Sequence, residues 1–421
     1  MVVIHQKQRM LSNAALFFMH KELNKLMKQK VLIVLPSLTS GGGEKALVNM
    51  LNSFSADRYE ISLQLFRNEG VNMQFVPSYV TLKEPLFPHG LPSKKYRVSY
   101  LVKHLNVKEL FKDILYYLKS RNANSRERGF YEWKSILPFC PTDQDRYDIA
   151  IAAMQGVATY YVFDLVNAER KICWIHTDYS KVQQVEEEQY YFSKADSVVT
   201  VSEQCYNSFL GIYPHLKNVK MLYNLNCPEL IQSMASKMDN SQCFPDQFDW
   251  HFVSVGRLIK LKGFDMLLDA AKILKDRDVS FSWYVLGEGE EKDALLNKAR
   301  ELQVEDRVFF AGVQANPYPY LRCADIVVQT SRYEGKSMVL DEAKILNKPI
   351  VSTKYDSVFD QINDGENGIL VPISAEGIAD GIFQLIGNNV LREKIIANLS
   401  HEEKKQTDLI QKYYALIEGR L

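Results

Sequence analysis

Short apolar runs alternate with stretches of helical spacing along most of this chain, and the alternation predicts its elements. Residues 31–35 read VLIVL, 61–66 ISLQLF, 148–154 DIAIAAM and 219–223 VKMLY. Runs of this length, apolar for the most part, suit strands covered on both faces of a parallel sheet. Residues 171–178 (KICWIHTD) and 195–203 (ADSVVTVSE) read the same way, the first delivering His176 at its carboxyl end. A second series begins at 251–257 (HFVSVGR) and continues at 281–286, 308–313, 326–328, 350–352 and 365–371. Between these runs the apolar period lengthens. Over 90–135, a stretch rich in Lys, Arg and Tyr, it picks out Tyr96, Tyr100, Leu101, His104, Leu105, Leu110, Ile114, Leu115 and Leu118 at helical spacing. Over 338–346 it picks out Met338, Leu340, Ala343 and Leu346, and residues 374–388, 390–398 and 402–418 are charged amphipathic helices.

Strand and helix in repeated alternation give a parallel sheet, so the fold class is α/β. A chain of 421 residues exceeds what one core holds, and two domains are expected. Residues 225–248 lose periodicity and read as the linker. The predicted organisation is a basic, weakly amphipathic extension at 1–30, a doubly wound domain at 31–224, and a second at 249–401.

Composition changes this picture in three places. The net charge is zero, yet residues 1–134 hold 21 Lys and Arg against 10 Asp and Glu. A basic first third, densest in Lys21–Lys30 and Lys94–Arg128, points to an anionic surface such as a membrane face; no nucleic-acid partner is expected. The six cysteines are scattered with no C-x-x-C pair, which predicts free thiols in a reducing cytoplasm. No segment approaches the roughly 20 apolar residues that span a bilayer, and no export signal stands at the start.

The chemistry gathers in a few turns. After the first strand comes Gly41-Gly42-Gly43-Glu44, which is neither a Walker loop nor a dinucleotide fingerprint, but lets backbone approach a ligand closely. After the strand at 326–328, Glu334-Gly335-Lys336-Ser337 makes a tight turn into a helix with Ser337 as N-cap. Glu334 stands before that helix and Glu342 inside it, with seven residues between them. The unpaired N–H groups of the first turn suit a phosphate, and the flanking carboxylates suit sugar hydroxyls. Arg257 and Lys262 sit five residues apart after a strand, a fork and a point charge for diphosphate oxygens. Asp143-Gln144-Asp145 has the D-x-D form of a metal site but precedes its strand, so a solvated loop is expected. Gly287-Glu288-Gly289 lies too late in the chain for a first nucleotide turn.

The Gly-Gly turn, WIHTD, VGRLIKLKGFD and the E-x7-E loop, in this order, resemble glycosyltransferase family 4, the retaining sugar-nucleotide transferases of GT-B fold. The likeness covers roughly residues 30–395 and is strongest toward bacterial capsule and exopolysaccharide enzymes. It implies two Rossmann-like domains facing a cleft, the second holding a nucleoside diphosphate sugar, UDP-linked first among the candidates. It implies that Arg257 and Lys262 hold the diphosphate without metal or cofactor, that Glu334 takes hydroxyls of the sugar, and that Glu342 takes the ribose. Backbone at Gly42, Gly43, Gly335, Lys336, Ser337, Met338 and Val339 would face the donor, with Gly312 and Val313 nearby. His176 would approach the sugar, and Gln155 and Asp178 would lie on the acceptor side. Lys336 and Ser337 depart from the family pattern of Phe and Gly, and a lysine there suits an acidic or N-acetylated sugar. The acceptor would be a glycan or lipid-linked hydroxyl at the inner face of the cytoplasmic membrane, the last helix would cross back to the first domain, and a homo- or hetero-oligomer is left open. A GT-B epimerase and a non-catalytic donor-binding partner are the rival readings.

Overall fold

The computed structural model describes residues 28–421 apart from 40, 88–91, 184, 239–242, 245–246 and 402–404. Most of the expected basic extension, residues 1–27, lies outside the described residues.

The first domain carries strands β1 (Gln29–Leu35), β2 (Tyr59–Leu65), β3 (Thr81–Leu82), β4 (Arg146–Ala152), β5 (Asn167–Ile175), β6 (Ser197–Thr200) and β7 (Val219–Met221). They form one seven-stranded sheet in the order β3-β2-β1-β4-β5-β6-β7, and every pairing is parallel. Its helices are α1 (Gly42–Ser53), α2 (Lys94–Lys103), α3 (Val107–Arg121), α4 (Ser125–Ile136), α5 (Val157–Leu165), α6 (Glu188–Lys194) and α7 (Glu203–Ile212). Val31 through Leu35 are wholly buried, which is why that run carries no polar alternation.

Helix α8 (Pro228–Ala235) falls inside the stretch expected to be a plain linker, and its Ile231, Met234 and Ala235 are buried. The second sheet follows: β8 (Trp250–Val255), β9 (Phe281–Leu286), β10 (Val308–Gly312), β11 (Ile326–Gln329), β12 (Ile350–Thr353) and β13 (Ile369–Val371). Its order is β10-β9-β8-β11-β12-β13, again all parallel. Around it lie α9 (Phe264–Asp276), α10 (Lys292–Glu301), α11 (Tyr318–Cys323), α12 (Met338–Ile345), α13 (Ala375–Gly387) and α14 (Asn389–Ser400). Polar side chains in the middle of this core pair with one another: Trp283 donates to Ser254 at 3.0 Å, and Ser254 donates to the Val328 carbonyl at 2.6 Å. Two doubly wound sheets facing one another are the GT-B architecture.

The last helix, α15 (Lys405–Ile417), packs on the first domain. Tyr413 stacks on Trp174 at 5.4 Å and donates to the Tyr223 carbonyl, while Tyr414 packs beside Phe54 and Tyr59.

One expectation is corrected here. Cys243 and Cys323 form a disulfide, because the end of α11 lies against the segment that follows α8 and brings the two Cα atoms to 6.5 Å. The apolar face read over 105–118 does not meet a core. Ile114, Leu115 and Leu118 are exposed, and Asp113 is the buried residue of α3. Helix α3 meets its neighbours instead through Tyr116, stacked on Tyr131 of α4, and through the ion pair of Asp113 with Arg97 of α2.

Candidate active site

Open parallel sheets bind ligands beyond the carboxyl ends of their strands, where the strand order reverses. That reversal falls between β1 and β4 in the first sheet and between β8 and β11 in the second. A cavity of about 470 Å³ lies at these ends, between the domains. Gly41–Lys45 enter its wall from the β1–α1 turn, Met154 and Gln155 from the end of β4, and His176 and Thr177 from the end of β5. Gly256, Arg257 and Lys262 follow β8, and Glu334–Val339 follow β11.

On the second-domain side Arg257 is exposed, and its guanidinium has no protein partner among the described residues. Lys262 pairs with Glu334 Oε1, which also accepts from Gln329 Nε2 and Ser331 Oγ at 2.7 Å each. Three donors on one carboxylate oxygen fix the side chain's orientation and leave Oε2 without a protein partner among the described residues. Gly263 sets the Lys262 loop: its φ of 68° is left-handed, and a Cβ there would run into the Thr330 carbonyl.

The turn before α12 differs from expectation at three residues. Ser337 occupies the N-cap position, but its side chain makes no capping bond. Its N–H donates to Gln361 Oε1 at 2.9 Å and its carbonyl accepts from Gln361 Nε2 at 2.7 Å, so that amide is not free for a ligand. Unpaired first-turn N–H groups begin at Met338. Lys336 lines the cavity, and its ammonium lies 3.3 Å from Asp341 and over the Tyr223 ring at 4.5 Å. The side chain expected to meet a sugar substituent is thus engaged within the protein. Glu342 is likewise no open ribose acceptor. It is fully buried, its carboxylate held by Lys45 of α1 at 2.9 and 3.1 Å and by the Tyr318 hydroxyl at 3.3 Å.

On the first-domain side Gly43 lies against the His176 ring, and a Cβ there would stand 3.5 Å from it and require the Met154 methyl to move. His176 Nε2 lies 3.1 Å from the Ala153 carbonyl. A carbonyl only accepts, so Nε2 carries the proton and Nδ1 the lone pair. Burial pushes the imidazole down to about 4, the Ala153 bond opposing it only in part. The ring is therefore neutral at neutral pH. Because its folded value lies below the ordinary 6.5, the stability it contributes is complete above about pH 6.5 and is lost as pH falls toward 4. Acid unfolding of the wild type and of His176→Phe tests this: the wild type is expected to lose more stability across that window, and parallel curves would refute it.

Gln155 lines the cavity, but its amide is a strut, accepting from the His176 N–H at 3.2 Å and donating to Thr177 at 2.9 Å. Asp178, expected on the acceptor side, is not among the residues lining the cavity. It is buried, caps the turn at Tyr179–Lys181, and accepts from the Tyr333 hydroxyl at 2.6 Å across the domain boundary. Burial raises its carboxyl, but bonds from Tyr333, Ser180 and Ser208 outweigh that and hold it below the usual carboxylate range. Gly312 and Val313 follow the turn near Glu288 and do not line the cavity. Asp143 and Asp145 both pair with Lys83 at 2.9 Å and accept from Tyr147. Among the described residues no cluster of three His, Cys, Asp or Glu side chains could hold a metal.

Three residues of this site escaped the sequence reading. Lys45, four positions past Gly41, carries the inter-domain pair, and nothing local marks its partner. Gln361 clamps the Ser337 peptide from a turn with no motif. Asn224, just past β7, lines the cavity with a buried Oδ1 that has no hydrogen-bond partner among the described residues, and the carboxyl-end rule points to it.

Comparison with known proteins bears on the second domain first. Residues 244–401 match the family model described as Glycosyl transferases group 1. The lipopolysaccharide core biosynthesis glycosyltransferase LpsE of Rhizobium meliloti is 38% identical over 151 residues, 36% of this chain and 43% of that protein. The poly(ribitol-phosphate) alpha-N-acetylglucosaminyltransferase of Staphylococcus aureus is 30% identical over 162 residues, 38% of this chain and 31% of that protein. The chain thus spans less than half the length of these two curated relatives. Among solved structures, HepE from Anabaena in complex with UDP and glucose superposes with a TM-score of 0.65 at 19% identity, covering 93% of this chain and 100% of that one. That likeness extends the GT-B fold over both domains. The group 1 segment contains Arg257, Lys262, Glu334 and the turn into α12, so the second-domain wall of the cavity belongs to the matched part.

Proposed function

We propose that this chain is a retaining glycosyltransferase of family 4 type, moving a hexose from a nucleoside diphosphate sugar to a hydroxyl in cell-surface polysaccharide synthesis. The observation that carries the reading is the unpartnered Arg257 guanidinium beside Lys262, Glu334 and the start of α12 in one inter-domain cavity. Diphosphate oxygens would take Arg257 and the first-turn N–H groups from Met338 onward, and Lys262 would share its charge between them and Glu334. The free Oε2 of Glu334 would accept a sugar hydroxyl. An acceptor hydroxyl entering from the first domain attacks the anomeric carbon on the face the diphosphate leaves. The new C–O bond forms as the old one breaks, and the departing phosphate oxygen takes the acceptor's proton. Orientation and charge stabilisation then supply the rate enhancement.

The lipopolysaccharide core and poly(ribitol-phosphate) activities of the two curated relatives and the UDP and glucose bound by HepE support a UDP-linked donor and a lipopolysaccharide or poly(ribitol-phosphate) class of acceptor. No metal takes part in this reading. The acceptor, glycan or lipid-linked, would be met by a protein attached peripherally to the inner face of the cytoplasmic membrane. A panel of sugar nucleotides scored by protection against thermal unfolding tests the donor assignment. UDP and one UDP-sugar are expected to protect, by about 2.7 kcal/mol at a hundredfold excess over the dissociation constant. Protection by no nucleotide at all would overturn it.

A further inference from the structure

Helix α3 is built inside out. Its buried residue is Asp113, 7% exposed, in an ion pair of 3.3 Å with Arg97 of α2. Its apolar side chains face solvent, with Val107 72% and Phe111 68% exposed and Ile114 and Leu118 continuing the line. The spacing of four, three and four places them on one stripe. Leu105, in the turn from α2, is 84% exposed at a φ of 51°, a backbone position that favours glycine or asparagine over leucine. Exposed apolar stripes of this extent mark a contact surface.

Charge says what kind. The hairpin 94–121 holds two acids, and both are used internally: Asp113 by Arg97 and Glu109 by Lys112. Lys94, Lys95, Lys103, Lys108, Lys119 and Arg121 have no acid partner among the described residues. Tyr96, Tyr100 and Tyr117 stand exposed among them, with Lys94 over the Tyr117 ring at 4.3 Å. An apolar stripe rimmed by unpaired cations and amphipathic rings complements a surface that is anionic outside and apolar just beneath.

We infer that the α2–α3 hairpin is the docking surface for an anionic lipid bilayer, with Leu105, Val107, Phe111, Ile114 and Leu118 entering the headgroup region. This rests on the peripheral attachment proposed above and assigns its surface.

The test is co-sedimentation of the full chain with vesicles of phosphatidylcholine, with and without phosphatidylglycerol. Two variants, Phe111→Ser with Leu118→Ser and Lys108→Glu with Lys119→Glu, are compared with the wild type. Wild-type binding should require phosphatidylglycerol and weaken in high salt, and each variant should bind about tenfold less or worse. Thermal protection by UDP should be unchanged in both, showing an intact fold and donor site. Variants that bind as wild type overturn the hairpin as the surface, while peripheral attachment stands. No binding by any form, or binding indifferent to lipid charge, overturns both. A wild-type dimer that Phe111→Ser with Leu118→Ser converts to monomer, with vesicle binding unaffected, would assign the stripe to a second copy and overturn the inference.

Discussion

Arg257→Ala is expected to lower turnover of the sugar nucleotide by about a hundredfold or more, the scale on which removing one preorganised charge donor acts. The guanidinium has no hydrogen bond or ion pair among the described residues, so its removal should leave thermal unfolding without ligand unchanged. Lys262→Ala should cost turnover on the same scale. Its ammonium is held by Glu334, but Gln329 and Ser331 keep that carboxylate oxygen bonded after the lysine is gone, and the fold should survive. Turnover should also persist in a chelator. Near-wild-type rates in both variants would remove the diphosphate assignment. Loss of activity in EDTA, restored by Mn²⁺, would return attention to Asp143 and Asp145.

The second large effect is on stability. Lys45 is 14% exposed and Glu342 not at all, and the two join α1 of one domain to α12 of the other. Lys45→Ala leaves the Glu342 charge buried with the Tyr318 hydroxyl as its remaining donor. Breaking one side of a buried pair costs about 3–5 kcal/mol, whereas replacing both partners by apolar residues is far cheaper. Urea unfolding of Lys45→Ala should therefore show a loss of that order, and Lys45→Met with Glu342→Leu should recover most of it. Equal losses in the single and the double variant would mean the pair is not the source of the effect.

What could be read in advance follows from which interactions are local. The run at 31–35 announces a central strand because a strand buried on both faces must be apolar throughout, and the carboxyl-end turns follow from that framework. The stripe over 105–118 was legible as a stripe, but a period reports that one face is apolar and not what covers it. Asp113 inside and Phe111 outside invert the usual sense, and only the packing of α3 on α2 and α4 reveals it. Glu334 and Glu342 share a motif, yet one lines the cavity and the other is sealed by a lysine 297 positions away in sequence. Pairings at that range, like Cys243 with Cys323 or Tyr333 with Asp178, leave no local trace. Gln361 is silent for a related reason: one glutamine clamps the Ser337 peptide, and glutamines at other surfaces look the same.

The most direct test of the central claim is NMR of the anomeric signals while the purified protein turns over a UDP-sugar in the presence of a hydroxyl acceptor. The account predicts release of UDP in equal amount with a new glycoside that keeps the donor's anomeric configuration. Isomerised sugar still attached to its nucleotide, an inverted glycoside, or no turnover of any sugar nucleotide that binds would contradict it.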